Sequence, residues 1–217
     1  MARKPVESFF VELDRFVTDD ISADAAKNLL IADTIAERDR LISSNEAGRI
    51  WKRTVNNVPD APESTLTVGG SILYNFSSLS QAVRLGLDEC RRRSPVKSGA
   101  YRGAWIVLCN DALWEHEPED LPFNAEVQIV NPAPYARKID TGGMKMSMPP
   151  KIIEGARQVV RRAYPEINVS RQFINLSGHM GRWNAPYLLR RDGGRKGSRA
   201  GQPVSYPSLM LRDTTYR

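Results

Sequence analysis

The chain has 217 residues, of which 41% are hydrophobic and 26% are charged, and its formal net charge is +6. This length allows one packed domain with extensions or two small domains, and the composition is that of a globular protein. No apolar run approaches the roughly 18 residues that a membrane span requires, and acidic residues follow the first basic pair too closely for a signal peptide.

Cysteine and histidine are too sparse to suggest a metal centre. Cys90 and Cys109 lack the close paired spacing of a zinc site, and neither His116 nor His179 has a plausible partner nearby in the sequence. So few cysteines are typical of a reduced cytoplasmic protein. No glycine pair lies in a strand–loop–helix phosphate cradle, and no serine lies in a nucleophile elbow. We therefore predict no cofactor, no metal and no catalytic residues.

Positive charge is concentrated at the C-terminus. Residues 171–217 contain nine Lys or Arg and two Asp or Glu, whereas the preceding residues are close to neutral. A basic arm of this kind favours contact with nucleic acid or with acidic protein. A solvated tail without a partner explains the same charge equally well at this point.

The first 58 residues predict a helical extension. Apolar residues recur at helical spacing over residues 6–17. A second helix is expected from an N-cap at Ser22 to Leu41 or Ile42, and its dense charge favours a projecting or subunit-contacting element. Prolines and polar residues mark residues 56–64 as a linker.

Residues 65–177 predict an α+β core. Residues 65–74 read as a hairpin around Gly69-Gly70, and a helix capped by Ser77 or Ser78 continues to Arg93. The other predicted elements are strands at 105–108 and 125–130, an acidic loop between them with Glu115, Glu117, Glu119 and Asp120, and a helix from Pro149-Pro150 to Tyr164. The predicted fold is therefore a small antiparallel sheet packed by amphipathic helices, with an irregular basic C-terminal arm over 178–217.

Two short segments, residues 94–102 and 134–142, carry more specific information. In the first, Pro95 ends the helix and Gly99 can adopt the positive φ that a turn into the next strand needs. Tyr101 and Trp105 are expected on one side of that strand. In the second, a Tyr-Ala step leads to an acidic-x-Gly turn. Folding alone explains each segment, so the information lies in their order and spacing.

With the flanking helices, these segments resemble the tail-completion (neck) proteins of long-tailed bacteriophages, the family that includes minor tail protein Z. The family shows a Pro-x-x-(Thr or Ser)-Gly-x-(Leu or aromatic) turn, a strand pair, a Tyr-Ala-x-x-(Val or Ile)-Glu-x-Gly segment and a closing helix. The matching residues are Pro95, Ser98, Gly99, Tyr101, Tyr135, Ala136, Ile139, Asp140 and Gly142. Asp140 stands where the family usually has Glu.

The resemblance implies a structural virion protein without catalytic activity, assembled in the cytoplasm of a host bacterium. Such proteins form a ring, expected here to be six-fold or twelve-fold, between the head-closure (adaptor) protein and the tail terminator. Packaged double-stranded DNA would occupy the lumen, and no membrane partner is expected. The nearest alternatives are a head-closure or tail-terminator protein. A different class is a non-specific nucleic-acid-binding protein that uses the basic arm.

Two sets of residues are candidates for these contacts. Contacts with neighbouring subunits are expected from Tyr101, Tyr135, Asp140, Gly142, Met144, Met146 and Met148. The methionines suit adaptable apolar contacts, although a loop folded onto its own core explains them equally well. The basic residues expected to face the DNA lumen or a partner are Arg91, Arg92, Arg93, Arg190, Arg191, Arg195, Lys196 and Arg199. Protein contacts are favoured for the arm, because its basic and aromatic residues are not interleaved as in a single-strand-binding groove.

Overall fold

The computed structural model describes residues 8–12, 23–96, 98–144, 149–180, 183–192 and 199–213. Helices and antiparallel sheets are both present, which confirms the predicted α+β class. The chain divides into two compact units. The first extends to Ser80 and includes Glu119–Phe123, and the second comprises Gln81–Pro118 and the residues from Asn124 onward.

The elements are as follows. The helices are α1 (Ala23–Ser43), α2 (Leu79–Arg92), α3 (Ala136–Asp140) and α4 (Ile152–Ala163). The strands are β1 (Ser8–Glu12), β2 (Ile50–Val55), β3 (Val58–Pro59), β4 (Ser71–Ser77), β5 (Ile106–Cys109), β6 (Ala112–Trp114), β7 (Glu126–Val130), β8 (Ile167–Ile174), β9 (Gly178–Met180), β10 (Trp183–Ala185) and β11 (Tyr206–Asp213).

The first unit contains a four-stranded antiparallel sheet in the order β1-β4-β2-β3. The helix predicted over residues 6–17 is wrong at Ser8–Glu12, which form β1. These residues pair with β4, from Ser8 opposite Asn75 to Glu12 opposite Ser71. A short aromatic and β-branched run suits a pleated strand once a partner is present, and sheet pairing outweighs the helical spacing.

The predicted hairpin at 65–74 and the predicted linker at 56–64 are also corrected. Asn56 and Asn57 adopt positive φ of 50° and 64° and form the turn between β2 and β3. Asparagine tolerates this left-handed region, so the hairpin forms there. Thr67 and Gly70 close a separate turn, and β4 then pairs with β1 and β2.

Helix α1 confirms the predicted second helix and packs within the first unit. Its buried residues Ala26, Leu30, Thr34 and Leu41 follow one face. Leu30 and Leu41 join Val55, Ile72 and Tyr74 in the core of this unit. The charged surface of the helix therefore lies opposite a buried stripe, as in ordinary surface helices.

The second unit contains a five-stranded antiparallel sheet in the order β6-β5-β7-β11-β8. Strands β5 and β7 confirm the two predicted strands to within a residue. Strand β11, from the segment predicted as an irregular arm, lies between β7 and β8 and is buried at Leu209 and Leu211. The arm prediction is therefore wrong for Tyr206–Asp213. The pairing of β11 with both neighbours begins at Ser208, one residue after Pro207, so the proline, which has no N–H to donate, does not interrupt it.

Helices α2 and α4 cover one face of this sheet. A Cβ on Gly86 of α2 would lie 3.0 Å from Cδ1 of Ile129 on β7 and 3.0 Å from Cδ2 of Leu209 on β11. It would also lie 3.5 Å from Cγ2 of Val160 on α4. The missing side chain at Gly86 thus lets α2 approach the sheet closely. In the described ranges, no helix is long and apolar enough to cross a bilayer.

Candidate functional site

The end of α2 is locked to the following turn through Ser94. The Ser94 hydroxyl donates to the Cys90 carbonyl at 2.6 Å and accepts the indole N–H of Trp105 at 2.8 Å. Ser94 and Trp105 are both buried. Both hydrogen bonds are shielded from water, so Ser94 joins the end of α2 to Trp105, the residue before β5.

The two sequence segments meet at Tyr101. The Asn131 side-chain amide donates to the Tyr101 carbonyl at 2.8 Å, and the Asn131 Oδ1 accepts the N–H of Ala133 at 3.1 Å. The Tyr101 ring lies 5.8 Å from that of Trp105 in an edge-on arrangement and 5.9 Å from that of Tyr135. Aromatic pairs at these separations add to the free energy of burial. We call Ser94, Tyr101, Trp105, Asn131, Tyr135 and Asp140 the motif cluster.

Asp140 connects the motif cluster to α4. Its Oδ1 accepts the N–H of Ile153 at 3.0 Å, and its Oδ2 accepts Nη2 of Arg171 at 2.6 Å. Lys151 precedes the helix at a φ of 69° and makes no side-chain cap. The Asp140 carboxylate therefore acts as the N-cap of α4, although it lies 13 residues before Ile153 in the sequence. The positive end of the helix dipole also favours a carboxylate at this position. Only 1% of the Asp140 side chain is exposed.

The buried carboxylate influences two neighbouring groups. Burial, and then the charge of Asp140, raises the pKa of the Tyr101 hydroxyl. Burial, followed by the charges of Asp140 and Glu89, raises the pKa of the Cys90 thiol. Both groups therefore stay protonated at neutral pH, and neither is an activated nucleophile.

The predicted subunit-contact residues divide into buried and exposed groups. Tyr101 and Asp140 are buried within the chain, so the contact role predicted for them is corrected to a packing and capping role. Tyr135 is half-buried against Tyr101. Gly142 adopts a φ of +77°, so the backbone geometry explains the glycine there. Met144 is exposed, whereas Met146 and Met148 lie outside the described residues.

The basic residues near the end of α2 have different environments. Arg91 is exposed. Arg92 donates to both oxygens of Glu89, at 2.9 and 2.6 Å, and Arg93 donates to Glu89 at 3.0 Å. A Cβ on Gly155 would lie 2.4 Å from Nη1 of Arg93, so this guanidinium packs closely against α4. Arg91 and Arg92 are thus the members of the run best placed for a partner.

The basic residues of the C-terminal segment lie on an exposed connection. Arg190, Arg191 and Arg199 are exposed, between β10 and β11. Arg195 and Lys196 lie outside the described residues. A bridge between Leu188 and Pro203, with hydrogen bonds between Leu189 and residues 201 and 202, ties the two sides of the connection together. The exposed arginines therefore lie next to residues that are paired with each other on the two sides of the connection.

Sequence reasoning missed three residues that the structure brings together in or against the motif cluster. These are Ser94 as a hydrogen-bond relay, Asn131 as the link between segments, and Arg171 as the partner of Asp140. An Asn-Pro step after a strand is a recognisable Asx-turn signal and could have identified Asn131. Arg171 lies 31 residues from Asp140, and no local pattern indicates their pairing.

The first unit holds a separate charged network around Glu63. This carboxylate accepts hydrogen bonds from Arg53 and, at 2.5 Å, from the Tyr74 hydroxyl. Arg38 lies over the rings of Trp51 and Tyr74, at 4.8 and 5.4 Å from their centroids. Burial alone would raise the pKa of Glu63, but the hydrogen bonds from Arg53 and Tyr74 lower it to about 2. The network secures residues 63–65 against β2 and β4.

Neither unit presents an arrangement typical of a metal centre in the described ranges. No group of three or more His, Cys, Asp or Glu side chains there is placed to hold a metal ion. Cys90 and Cys109 are buried free thiols. Comparisons with protein-family models, with curated proteins and with solved structures gave no match.

Proposed function

We propose that this chain is a structural subunit of the neck of a long-tailed bacteriophage, where it forms a ring that joins the filled head to the tail. In this proposal it contacts the head-closure (adaptor) protein on one side and the tail terminator on the other. The ring would be six-fold or twelve-fold, with packaged double-stranded DNA in its lumen. The chain would be assembled in the host cytoplasm, become part of the virion and have no catalytic role.

The convergence of the two resemblance segments is the observation that carries this proposal. Residues 94–102 and 134–142 are separate in sequence, yet Asn131, Tyr101 and Tyr135 join them. The second segment ends at the carboxylate that caps α4, the closing helix of the family pattern. The pattern that resembles the tail-completion proteins is therefore one connected unit of packing.

The exposed surfaces suit assembly. Helix α2 ends in exposed Arg91 and Arg92, and the connection before β11 exposes Arg190, Arg191 and Arg199. In a neck ring, such groups would contact acidic surfaces of neighbouring proteins or line the DNA passage. We favour protein contacts for the C-terminal group, because its basic residues are not interleaved with aromatic residues as in a single-strand-binding groove.

Electron microscopy of a lysate from a phage with a stop codon in this gene tests the proposal. We expect DNA-filled heads beside full-length, unattached tails, because both structures would be complete and only their joining would fail. A lysate from the same phage with a synonymous change at that codon is the matched control. Normal infectious particles from the stop-codon phage would contradict the proposal, and empty heads or absent tails would place the protein at a different step.

A further inference from the structure

An exposed aromatic ring on β8 lies among arginines. Phe173 is 43% exposed. The guanidinium carbons of Arg137 and Arg171 lie 5.0 and 4.9 Å from its ring centroid. Exposed apolar rings held by arginine are typical anchors of protein interfaces, where Arg and aromatic side chains are enriched. We call Phe173, Arg137, Lys138 and Arg171 the Phe173 surface.

The Phe173 surface carries net positive charge. Arg171 is neutralised by the buried carboxylate of Asp140. Arg137 donates to the Ser205 hydroxyl at 2.6 Å, a neutral acceptor, and forms no ion pair among the described residues. Lys138, the next residue, is exposed. A complementary partner would therefore offer carboxylates next to an apolar group.

The same chain carries a surface with this chemistry at the opposite edge of the same sheet. Strand β6 ends at Trp114, and Glu115, His116 and Glu117 follow it on the surface. The His116 ring packs edge-on against Trp114 at 5.1 Å. Glu117 pairs with Arg84 at 3.3 Å, but both side chains are more than half exposed, so this ion pair is weak. We call residues 114–117 the acidic turn.

Strand register aligns the acidic turn with the Phe173 surface. Trp114 is opposite Val107, Val107 is opposite Ile129, Ile129 is opposite Leu209, and Leu209 is opposite Arg171. Directly opposed residues project from the same face of a sheet. Trp114 and Arg171 therefore end a single cross-strand row, on the face covered by the helices.

One molecule cannot bring these two surfaces together. Trp114 and Arg171 lie on the two outermost strands of a five-stranded sheet, which places them about 19 Å apart at ordinary strand spacing. A second copy placed beside the first along this row would set its acidic turn next to the Phe173 surface. Such a contact joins two different patches, and it closes a ring when the rotation at each step divides a full turn evenly.

We propose that a second copy of this chain docks its acidic turn on the Phe173 surface, and that repetition of this contact builds the ring. The inference rests on the proposed function, because it supplies the subunit contact that the ring needs. Carboxylates of Glu115 and Glu117 pair with Arg137 and Lys138. Trp114 and Phe173 supply the apolar part of the contact.

Charge reversal on the two patches tests the contact. Sedimentation velocity would compare the full-length chain with a surface variant (Arg137→Glu with Lys138→Glu) and a turn variant (Glu115→Lys with Glu117→Lys). Controls with the same charge changes on exposed positions elsewhere are Arg161→Glu with Arg162→Glu, and Asp24→Lys with Asp33→Lys. Thermal unfolding of every variant shows which ones are folded. The turn variant changes only exposed residues and keeps the test valid if the surface variant misfolds.

We expect each patch variant alone to lose self-association by about tenfold or more, since like charges would then face each other. An equimolar mixture of the two should restore association, because each interface then pairs opposite charges again. The controls should behave as wild type. A wild-type chain that stays monomeric at its highest soluble concentration would overturn the inference, as would folded patch variants that associate normally.

Three further outcomes separate this inference from DNA binding by the same surface and from the proposed function. If the surface variant loses affinity for a short DNA duplex but associates normally, the Phe173 surface binds phosphates and the inference fails. If association follows the charges as expected but the stop-codon phage makes normal particles, the contact stands and the neck function fails. If the stop-codon phage leaves heads and tails unjoined but association does not follow the charges, the neck function stands and the inferred contact fails.

Discussion

The motif cluster and the sheet-edge surfaces use similar residue types for different purposes. In the motif cluster, Tyr101, Trp105 and Asp140 are buried, and their polar groups are bonded to other parts of the chain. At the sheet edges, Phe173, Glu115 and Glu117 are exposed. The residues that carry the family resemblance therefore maintain the fold. The acidic turn lies outside that pattern, and the Phe173 surface enters it only at its two variable positions, Arg137 and Lys138.

This difference changes how the resemblance should be used. The motif residues hold the cap of α4 in place. A resemblance in these residues therefore bears on the fold and says little about which residues contact a neighbouring subunit. Substitutions in the motif cluster should therefore act on the free energy of unfolding. Substitutions at the edges should act on association and leave that free energy nearly unchanged.

The largest effect is expected for Asp140→Ala. The substitution removes the acceptor for the Ile153 N–H and leaves the Arg171 guanidinium without its carboxylate. The Ile153 N–H without an acceptor costs about 1 to 3 kcal/mol of unfolding free energy. Loss of the ion pair adds to this, by less than for a fully buried pair, because the Arg171 side chain is 28% exposed. Urea unfolding followed by tryptophan fluorescence measures it.

Asp140→Asn is the matched control, because it keeps the size of the side chain and one acceptor but removes the charge. We expect it to lie between Ala and wild type. If Asp140→Ala were as stable as wild type while head-to-tail joining failed, Asp140 would be a contact residue after all, and the comparison would be wrong.

Glu63 predicts a pH-dependent effect in the first unit. Its pKa is about 2 in the folded chain, below the ordinary value of 4.5. The carboxylate therefore stabilises the fold fully above pH 4.5, and this contribution is lost as the pH falls toward 2. Its size is on the order of 2 kcal/mol. Unfolding free energies measured between pH 6 and 2.5 for wild type and Glu63→Gln test this. The two pH profiles should converge toward acid, and parallel profiles would contradict the assignment.

A smaller effect is expected for Ser94→Ala. The Trp105 indole N–H would lose its acceptor, and a buried donor without a partner costs about 1 to 3 kcal/mol. A double-mutant cycle with Trp105→Phe isolates this bond. The double variant should be more stable than the sum of the two single losses suggests, whereas strict additivity would show that the bond contributes nothing.

The smallest effect on stability is expected for the combined variant Arg190→Ala, Arg191→Ala and Arg199→Ala. These side chains are exposed, so the unfolding free energy should change by about 0.5 kcal/mol or less. Duplex DNA affinity measured against salt concentration gives the second readout. Under the favoured protein-contact assignment, the slope of log affinity against log salt should match wild type. A clearly shallower slope would assign these arginines to phosphates instead.

The sequence predicted those elements that local signals define well. Helices α1, α2 and α4 have caps, apolar stripes or proline boundaries, and β5 and β7 are apolar runs between turn signals. Strand β1 was mistaken for a helix, because its aromatic residues satisfy helical spacing and only the distant β4 makes them a strand. Strand β11 was not predictable, because the segment after residue 178 is rich in glycine and proline and shows no sustained apolar period.

The site was predictable only in part. Proline and glycine positions correctly indicated that residues 94–102 form a turn after α2. The roles of Tyr101 and Asp140 were not predictable, because their burial depends on Asn131 and Arg171, which join them from other elements. Charge alone identified the acidic residues after β6. Their alignment with Arg171 follows from strand order, which local patterns do not determine.

In vitro complementation tests the central claim, that this chain acts at the joining of head and tail. Purified full-length chain would be added to the stop-codon lysate, and infectious particles would be counted before and after. Because the proposal leaves heads and tails complete in that lysate, we expect the titre to rise strongly with added protein, and joined particles to appear under the microscope. An unchanged titre would contradict the claim, provided that thermal unfolding shows the added protein to be folded.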